Sequence, residues 1–379
     1  MKHTAAGRTA AWGNNDTRPE LQTVTSRFLR VVFIWFLTTV WVLGIPVFVL
    51  LCCLSLWHMA QWLVTRTETP IPHYVPIFVS FMALYEGYYY ITKASEHRWP
   101  WMRKVMRHMH FHYPYFRLNM TVFDERQEAK RKGRDEESEG MIDKAVSKAV
   151  EENDMTSCVN PNDHALFAFH PHGVLSCGWS VGGVQHMSFA QADCRWLVAA
   201  SLFYFPIMRE LVNWMDFASV AKGSFREILR TGQNVCLLPG GFEEATLYER
   251  GKHRVYIKMR FGFIKLALQH GYKIHPVYTF GEEYAYHTFP YLLKIRLKLN
   301  QLKMPGVLFF GSPSCFYLPK ADVDLITVVG KPLILPRIEH PTQDNVRKYH
   351  EQYVTALQTL FDRYKKVCAV NPEAQLEIY

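Results

Sequence analysis

Apolar and polar positions along the chain fall into blocks of different period. Residues 1–30 are polar and carry Lys2, Arg8, Arg18, Arg27 and Arg30 without apolar repetition, which predicts a disordered tail. Val31–Trp57 then runs 27 residues with no charged side chain, where about 20 suffice to cross a hydrocarbon core. A second apolar stretch, Tyr74–Thr92, holds one carboxylate, Glu86. Pro70 and Pro72 lie between the two, so residues 31–92 predict a membrane hairpin with arms 31–57 and 74–92. Basic residues flank both outer sides, Arg27 and Arg30 before the hairpin and Lys93, Arg98, Arg103, Lys104 and Arg107 after it, which predicts cytosolic termini. Gly44-Ile45-Pro46 leaves a second geometry open, a hairpin that dips into one leaflet.

Residues 93–123 mix basic and aromatic side chains, the composition of an interfacial segment. Residues 124–163 contain no aromatic and include a charged run from Glu128 to Glu139, which predicts a solvated insertion. From His164 onward short apolar runs alternate with amphipathic stretches: Ala165–Phe169, Trp196–Ala200, Phe217–Ala221, Asn234–Pro239, Lys273–Phe280 and Ile326–Val329. This rhythm predicts an α/β domain over 164–366, a central mixed sheet flanked by helices. Thr342 is placed to cap a last helix whose apolar stripe is Val346, Tyr349, Tyr353, Val354, Leu357, Leu360, Phe361 and Tyr364. Residues 367–379 then form a C-terminal tail.

Composition supports a lipid environment. The 379 residues include 25 Phe, 20 Tyr and 10 Trp, and aromatic rings favour membrane interfaces. A formal charge of +9 suits an anionic membrane surface or a phosphate-bearing ligand. Nucleic acid is not expected, because no recognition module is present and the basic residues are interleaved with apolar stretches. The eight cysteines (Cys52, Cys53, Cys158, Cys177, Cys194, Cys236, Cys315 and Cys368) show no Cys-x-x-Cys spacing and read as reduced thiols. No metal site is expected, and serine-hydrolase chemistry is not expected either.

Two turns carry the candidate chemistry. In Phe169-His170-Pro171-His172-Gly173 an apolar strand ends in two imidazoles, the side chains most readily used as bases near neutral pH. One of the two is expected to do the chemistry, with the Pro171 turn setting how the two rings are placed. In Leu237-Leu238-Pro239-Gly240-Gly241-Phe242-Glu243-Glu244 a second strand ends in paired glycines and acids. Such glycines free backbone amides for an oxyanion, and a carboxylate there is placed to orient an imidazole. A plain turn with exposed acids is the structural alternative. Arg260–Gly271 reads as a helix ended by Gly271, with Gly262 and Ala267 permitting close packing on the sheet. Lys252, His253, Arg254, Lys258 and Arg260 form a basic cluster suited to phosphate, and Leu292–Leu299 alternates basic and apolar residues as a membrane-surface segment does.

In their order these blocks resemble the diacylglycerol acyltransferase type 2 family, which includes monoacylglycerol and wax-alcohol acyltransferases. The likeness runs over most of residues 74–366: His170-Pro171-His172-Gly173, Gly240-Gly241-Phe242-Glu243-Glu244, the spaced Arg260-x-Gly262-Phe263-x-x-x-Ala267-x-x-x-Gly271 with Pro276-Val277 and Phe280-Gly281-Glu282, then Val328–Pro332 and Glu339–Thr342. Departures are Tyr113-Pro114-Tyr115 in place of Tyr-Phe-Pro, the 124–163 insertion, and Ile274-His275-Pro276-Val277 in place of Leu-Val-Pro-Val. The related glycerol-phosphate acyltransferases use His-x-x-x-x-Asp, but here Leu175 and Cys177 stand at the aspartate positions.

The resemblance implies a glycerolipid acyltransferase-like fold and transfer of a fatty acyl group from acyl-CoA to diacylglycerol, at the endoplasmic reticulum membrane and at lipid droplets. Acyl-CoA serves as co-substrate and no cofactor is expected. His172 is expected as the base with His170 structural or assisting and Glu244 as orienter, and Pro171, Gly173, Gly240 and Gly241 as the turn and oxyanion positions. Arg254, Lys258 and Arg260 are the candidates for holding acyl-CoA. Gly262, Phe263, Ala267, Gly271 and Pro276 are packing or tunnel positions. Monoacylglycerol and long-chain alcohols are the rival acceptors, a lipid-droplet lipid-binding protein is the non-enzymatic alternative, and self-association into a homo-oligomer is left open.

Overall fold

The structure, a computed structural model, describes residues 24–65, 70–92, 99–112, 115–124, 159–301 and 306–379. Residues 1–23 of the expected tail and 125–158 of the expected insertion lie outside the described residues. Both apolar arms are helical. Helix α1 (Val24–Thr65) continues through Pro46, so the break open at Gly44–Pro46 is not taken, and α2 spans Tyr74–Thr92. Within α1, Phe28–Thr65 is the one stretch among the described residues long and apolar enough to cross a membrane. Its first half packs on the α/β domain through Phe33, Leu37, Trp41 and Ile45, while Leu56, Trp57, Leu63 and Val64 further along are exposed. Glu86, the lone carboxylate of α2, is held by Arg209, whose guanidinium donates to both carboxylate oxygens at 2.9 and 3.0 Å and covers the Tyr89 ring at 3.6 Å. That pairing answers for a charge inside an otherwise apolar helix.

Helix α3 (Pro100–His112) leads to β1 (Leu118–Phe123). There follow β2 (Ala165–His170), α4 (Cys177–Trp179), α5 (Met187–Gln191), β3 (Arg195–Val198), α6 (Met208–Trp214), β4 (Phe217–Ser219), α7 (Lys222–Thr231), β5 (Val235–Leu237), α8 (Gly241–Leu247) and β6 (His253–Val255). The chain is completed by α9 (Gly262–His270), β7 (Lys273–Phe280), β8 (His287–Thr288), α10 (Leu293–Gln301), β9 (Phe309–Phe310), β10 (Asp324–Val329), α11 (Gln343–Cys368) and β11 (Leu376–Ile378).

Seven strands form one sheet in the order β1-β10-β7-β2-β5-β3-β4. Strands β7, β2, β5, β3 and β4 are mutually parallel, β10 is antiparallel to β7, and β1 is parallel to β10. The sheet is therefore mixed, as the alternation of short apolar runs predicts. Central β2 is buried at every position, which fits its unbroken apolar sequence Ala165–Phe169. Helix α11 covers one face with Tyr353, Leu357 and Phe361, each stabilising the core by roughly 1.5–3 kcal/mol relative to exposure. Thr342 caps α11 through a reciprocal box with Asn345. The other face is covered by Trp179 and Phe189, packed against Trp196.

Two elements differ from the sequence reading. Leu118–Phe123, read as part of an interfacial segment, is an edge strand anchored by Arg117, which donates to both oxygens of Asp324 at 2.6 and 2.5 Å. Its sequence alternates apolar Leu118, Met120 and Val122 with polar Asn119 and Thr121, a strand period that the basic and aromatic surroundings mask. Leu376–Ile378, read as tail, pairs with β6, and the Tyr379 amide donates to the Val255 carbonyl at 2.8 Å.

Candidate active site

Parallel strands β7, β2 and β5 are neighbours, so their C-terminal ends open on one edge of the sheet, where α/β folds place their sites. Each delivers a polar group there: Glu282 after β7, His170 and His172 at the end of β2, Glu244 after β5. The likeness of the two glycine-bearing turns in sequence thus becomes adjacency in space.

His170 is fully buried. Its Nδ1 lies 3.2 Å from both oxygens of Glu244, and its Nε2 lies 3.0 Å from the Tyr353 hydroxyl of α11. Both ring nitrogens are thus engaged inside the core. Glu244 stands in the first turn of α8, and its oxygens also accept the backbone N–H of His172 at 2.6 Å and that of Tyr256 at 2.8 Å. A Cβ on Gly240 would lie 1.9 Å from Glu244 Oε2, so glycine is what lets this carboxylate fold back against its own turn.

His172 stands differently. It lines the large cavity at the sheet edge, and its Nδ1 lies 3.0 Å from the Gly173 carbonyl. A carbonyl only accepts, so Nδ1 carries the proton and Nε2 carries the lone pair. Burial pushes the His172 pKa below its ordinary value, against the opposing pull of the Gly173 carbonyl and Glu244. The ring is therefore neutral at neutral pH, with the basic nitrogen free of any hydrogen bond among the described residues. The expected orienter thus acts by another route: Glu244 meets the ring of His170 and the backbone of His172, and the Gly173 carbonyl sets the His172 tautomer.

Glu282 supports the loop from below. It accepts the amides of Cys177 at 3.1 Å and Gly178 at 2.6 Å, and burial raises its pKa to about 7. A side chain on Gly173, whose φ is 62°, would put Cβ 1.9 Å from this carboxylate. Sequence reading placed Glu282 within a family block without a role; the signal available was an acid following a buried strand and a glycine, the same pattern that marks Glu244.

The cavity measures about 1360 Å³, larger than the ~300–1000 Å³ of ordinary small-molecule sites. Ile34, Leu37, Trp41, Ile45 and Val49 of α1 form part of its wall, and His172, Gly241, Phe242, Arg260, Gly262 and Phe263 lie along it. Ala267 is on the buried face of α9, Gly271 ends that helix at φ 71°, and the carbonyl of Pro276 accepts the Gly330 amide at 2.8 Å. Gly241 reaches the cavity, whereas Gly240 packs on Glu244 and Gly173 on Glu282. Among the three expected acyl-CoA cations, Arg260 alone is on the wall, paired there with Glu243. Arg254 is held off the wall by Glu249 at 2.6 Å and Glu377 at 2.8 Å, and Lys258 is exposed elsewhere. Lys222, Arg226 and Lys265 line the cavity instead. They sit on two helices far apart in sequence, with no motif to join them.

One pentapeptide, Gly178-Trp179-Ser180-Val181-Gly182, does fit the Gly-x-Ser-x-Gly spacing of serine hydrolases. The structure gives it another role. Ser180 has helical φ and ψ of −75° and −49°, and its hydroxyl donates to the Cys177 carbonyl at 3.2 Å, unlike the strained strand-to-helix elbow that chemistry requires. Among the described residues no three His, Cys, Asp or Glu side chains gather as metal ligands.

A strand-edge imidazole facing a large, mostly apolar cavity defines the candidate active site. Residues 149–379 match the family profile described as diacylglycerol acyltransferase. The chain is 33% identical over 240 residues to diacylglycerol O-acyltransferase 2 of Dictyostelium discoideum, covering 59% of this chain and 73% of that protein. It is 32% identical over 234 residues to human 2-acylglycerol O-acyltransferase 3, covering 57% and 68%, and 30% identical over 241 residues to human acyl-CoA wax alcohol acyltransferase 2, covering 59% and 72%. The chain belongs to the diacylglycerol acyltransferase type 2 family. It is an O-acyltransferase of lipid biosynthesis, acting on a glycerolipid or an alcohol.

Proposed function

We propose that this enzyme moves a fatty acyl group from acyl-coenzyme A to the free hydroxyl of diacylglycerol, giving triacylglycerol, with Nε2 of His172 as general base. The observation that carries the reading is the division between the two imidazoles: His170 has both nitrogens engaged in the core, and His172 turns an unprotonated Nε2 to the lipid-sized cavity. In the reaction Nε2 takes the proton of the acceptor hydroxyl as its oxygen attacks the thioester carbonyl. The tetrahedral oxyanion forms beside the amides of the Gly241 turn, the carbon–sulfur bond breaks, and the proton passes from His172 to the departing coenzyme A sulfur. Acyl-coenzyme A is consumed as a co-substrate and no further cofactor takes part.

The same geometry supports a membrane setting. Helix α1 is both the apolar span and a wall of the cavity, so an acceptor dissolved in the bilayer reaches His172 along α1 without crossing water. We place the enzyme in the endoplasmic reticulum membrane and on lipid droplets, anchored by α1 and α2 with both termini cytosolic. Acceptor choice is tested by incubating membranes that carry the enzyme with labelled acyl-coenzyme A and equal amounts of diacylglycerol, monoacylglycerol and a long-chain alcohol, followed by lipid separation. Label is expected chiefly in triacylglycerol; label chiefly in diacylglycerol or wax ester would sink the acceptor assignment and leave the base in place.

A further inference from the structure

The cavity changes character along its length. The α1 side is apolar, whereas the side formed by α7 and α9, which pack against each other, carries Lys222, Arg226 and Lys265. Most arginines of this domain are matched by acids: Arg254 by Glu249 and Glu377, Arg260 by Glu243, Arg230 by Glu227. Lys222, Arg226 and Lys265 have no ion-pair partner among the described residues. Three like charges on one wall form a positive patch that favours an arriving anion. The positive field is felt by a neighbour. His270, at the end of α9, is held below its ordinary pKa by burial and then by Arg230, Arg337 and Arg226. The basic surface also continues past Lys265 into an adjoining cleft of about 330 Å³ that adds Arg347 of α11.

We propose that Lys222, Arg226 and Lys265 seat the phosphate groups at the nucleotide end of the acyl donor. The inference rests on acyl-coenzyme A being that donor. Coenzyme A carries a diphosphate and a separate ribose phosphate, so it presents several anionic groups to several cations, and its thioester lies between that anionic end and the apolar acyl chain. The cavity holds matching parts: cations on α7 and α9, the candidate base His172, and the apolar α1 wall. Arg254 and Lys258, the cations that sequence spacing favoured, have no place in it. A lipid headgroup phosphate is the other source of the same chemistry.

The test measures binding by the full chain in detergent micelles, using free coenzyme A, 3′-dephospho-coenzyme A and pantetheine. The K222Q/R226Q/K265Q variant is expected to bind coenzyme A about tenfold or more weakly, with dephospho-coenzyme A less affected and pantetheine unaffected, since charge-assisted phosphate contacts are what is removed. Arg254→Gln is expected to bind all three as the unaltered protein does. Equal coenzyme A affinity in the triple variant would overturn the proposal. So would loss of flotation with phosphatidylserine-containing vesicles but not with phosphatidylcholine vesicles, alongside unchanged coenzyme A binding, because the cations would then serve a headgroup. Lys265→Glu, a single exposed substitution, serves as a second variant if the triple variant unfolds early in a thermal scan, and is expected to show the same ranking of ligands. Coenzyme A binding through these residues without acylation of any acceptor would leave the site standing and remove the catalytic reading.

Discussion

His170 and His172 flank one proline and share one carboxylate, yet they belong to different regions of the molecule. His170 is the last residue of a buried strand, sealed by Glu244 and Tyr353. His172 stands two residues past the end of β2 and lines the cavity, with Nδ1 on the Gly173 carbonyl. The contrast teaches that a histidine's chemistry is set by what occupies its second nitrogen and by what the first one faces. At His170 both positions are filled, so the ring holds the core together. At His172 one is filled, so the other is available to substrate.

Breaking the cavity side should have the largest effect. His172→Ala is expected to lower acyl transfer by about 10²–10⁴, the usual contribution of a positioned base, with no comparable drop in the unfolding temperature. Normal turnover in this variant together with its loss in His170→Ala would exchange the two roles. The same ring sharpens the comparison through pH. Its pKa is depressed in the folded enzyme, so the base stays unprotonated below the ordinary imidazole value and the acid limb of kcat/KM is expected at a pH under about 6.5. A limb at or above that value would show that a different group is titrating.

On the core side the effect should appear as stability. His170→Ala leaves Glu244 buried without its ring partner and the Tyr353 hydroxyl unmatched, which is expected to cost about 2–5 kcal/mol in denaturant unfolding. Any fall in activity should then track the unfolded fraction and recover at lower temperature. Tyr353→Phe removes one hydrogen bond from the same network and keeps the ring packing, so the expected loss is about 1 kcal/mol with the pH profile of turnover unmoved. A shifted profile would mean that the core network reaches the reacting atoms.

Much of the fold was legible along the chain. Short, mostly apolar runs marked β2, β3, β4, β5, β7 and β10, and the stripe from Val346 to Tyr364 marked α11 with its cap at Thr342. Strands β1 and β11 were not read from the sequence. β1 alternates apolar Leu118, Met120 and Val122 with Asn119 and Thr121, but it stands in a basic, aromatic stretch outside the α/β rhythm and takes its place by pairing with β10 some two hundred positions away, as in Leu118 with Asp324. β11 is three residues long and shows itself only against β6. Among site residues, the two glycine turns stood out because their chemistry is local. Lys222, Arg226 and Lys265 did not, since cations on helix surfaces look alike until a cavity is drawn between them.

The sequence by itself determined where strands end, that imidazoles and carboxylates stand at those ends, and that an apolar segment of membrane-crossing length precedes them. These are properties of neighbouring residues, carried by side-chain period and by glycine and proline. Only the tertiary structure decided which imidazole is sealed and which is open, because that depends on Tyr353 of α11 closing over His170 from 183 positions away. It also decided that α1 walls the cavity and that Arg254 turns away from it. Burial and hydrogen-bond partners come from distant segments brought together by packing, and local sequence does not record them.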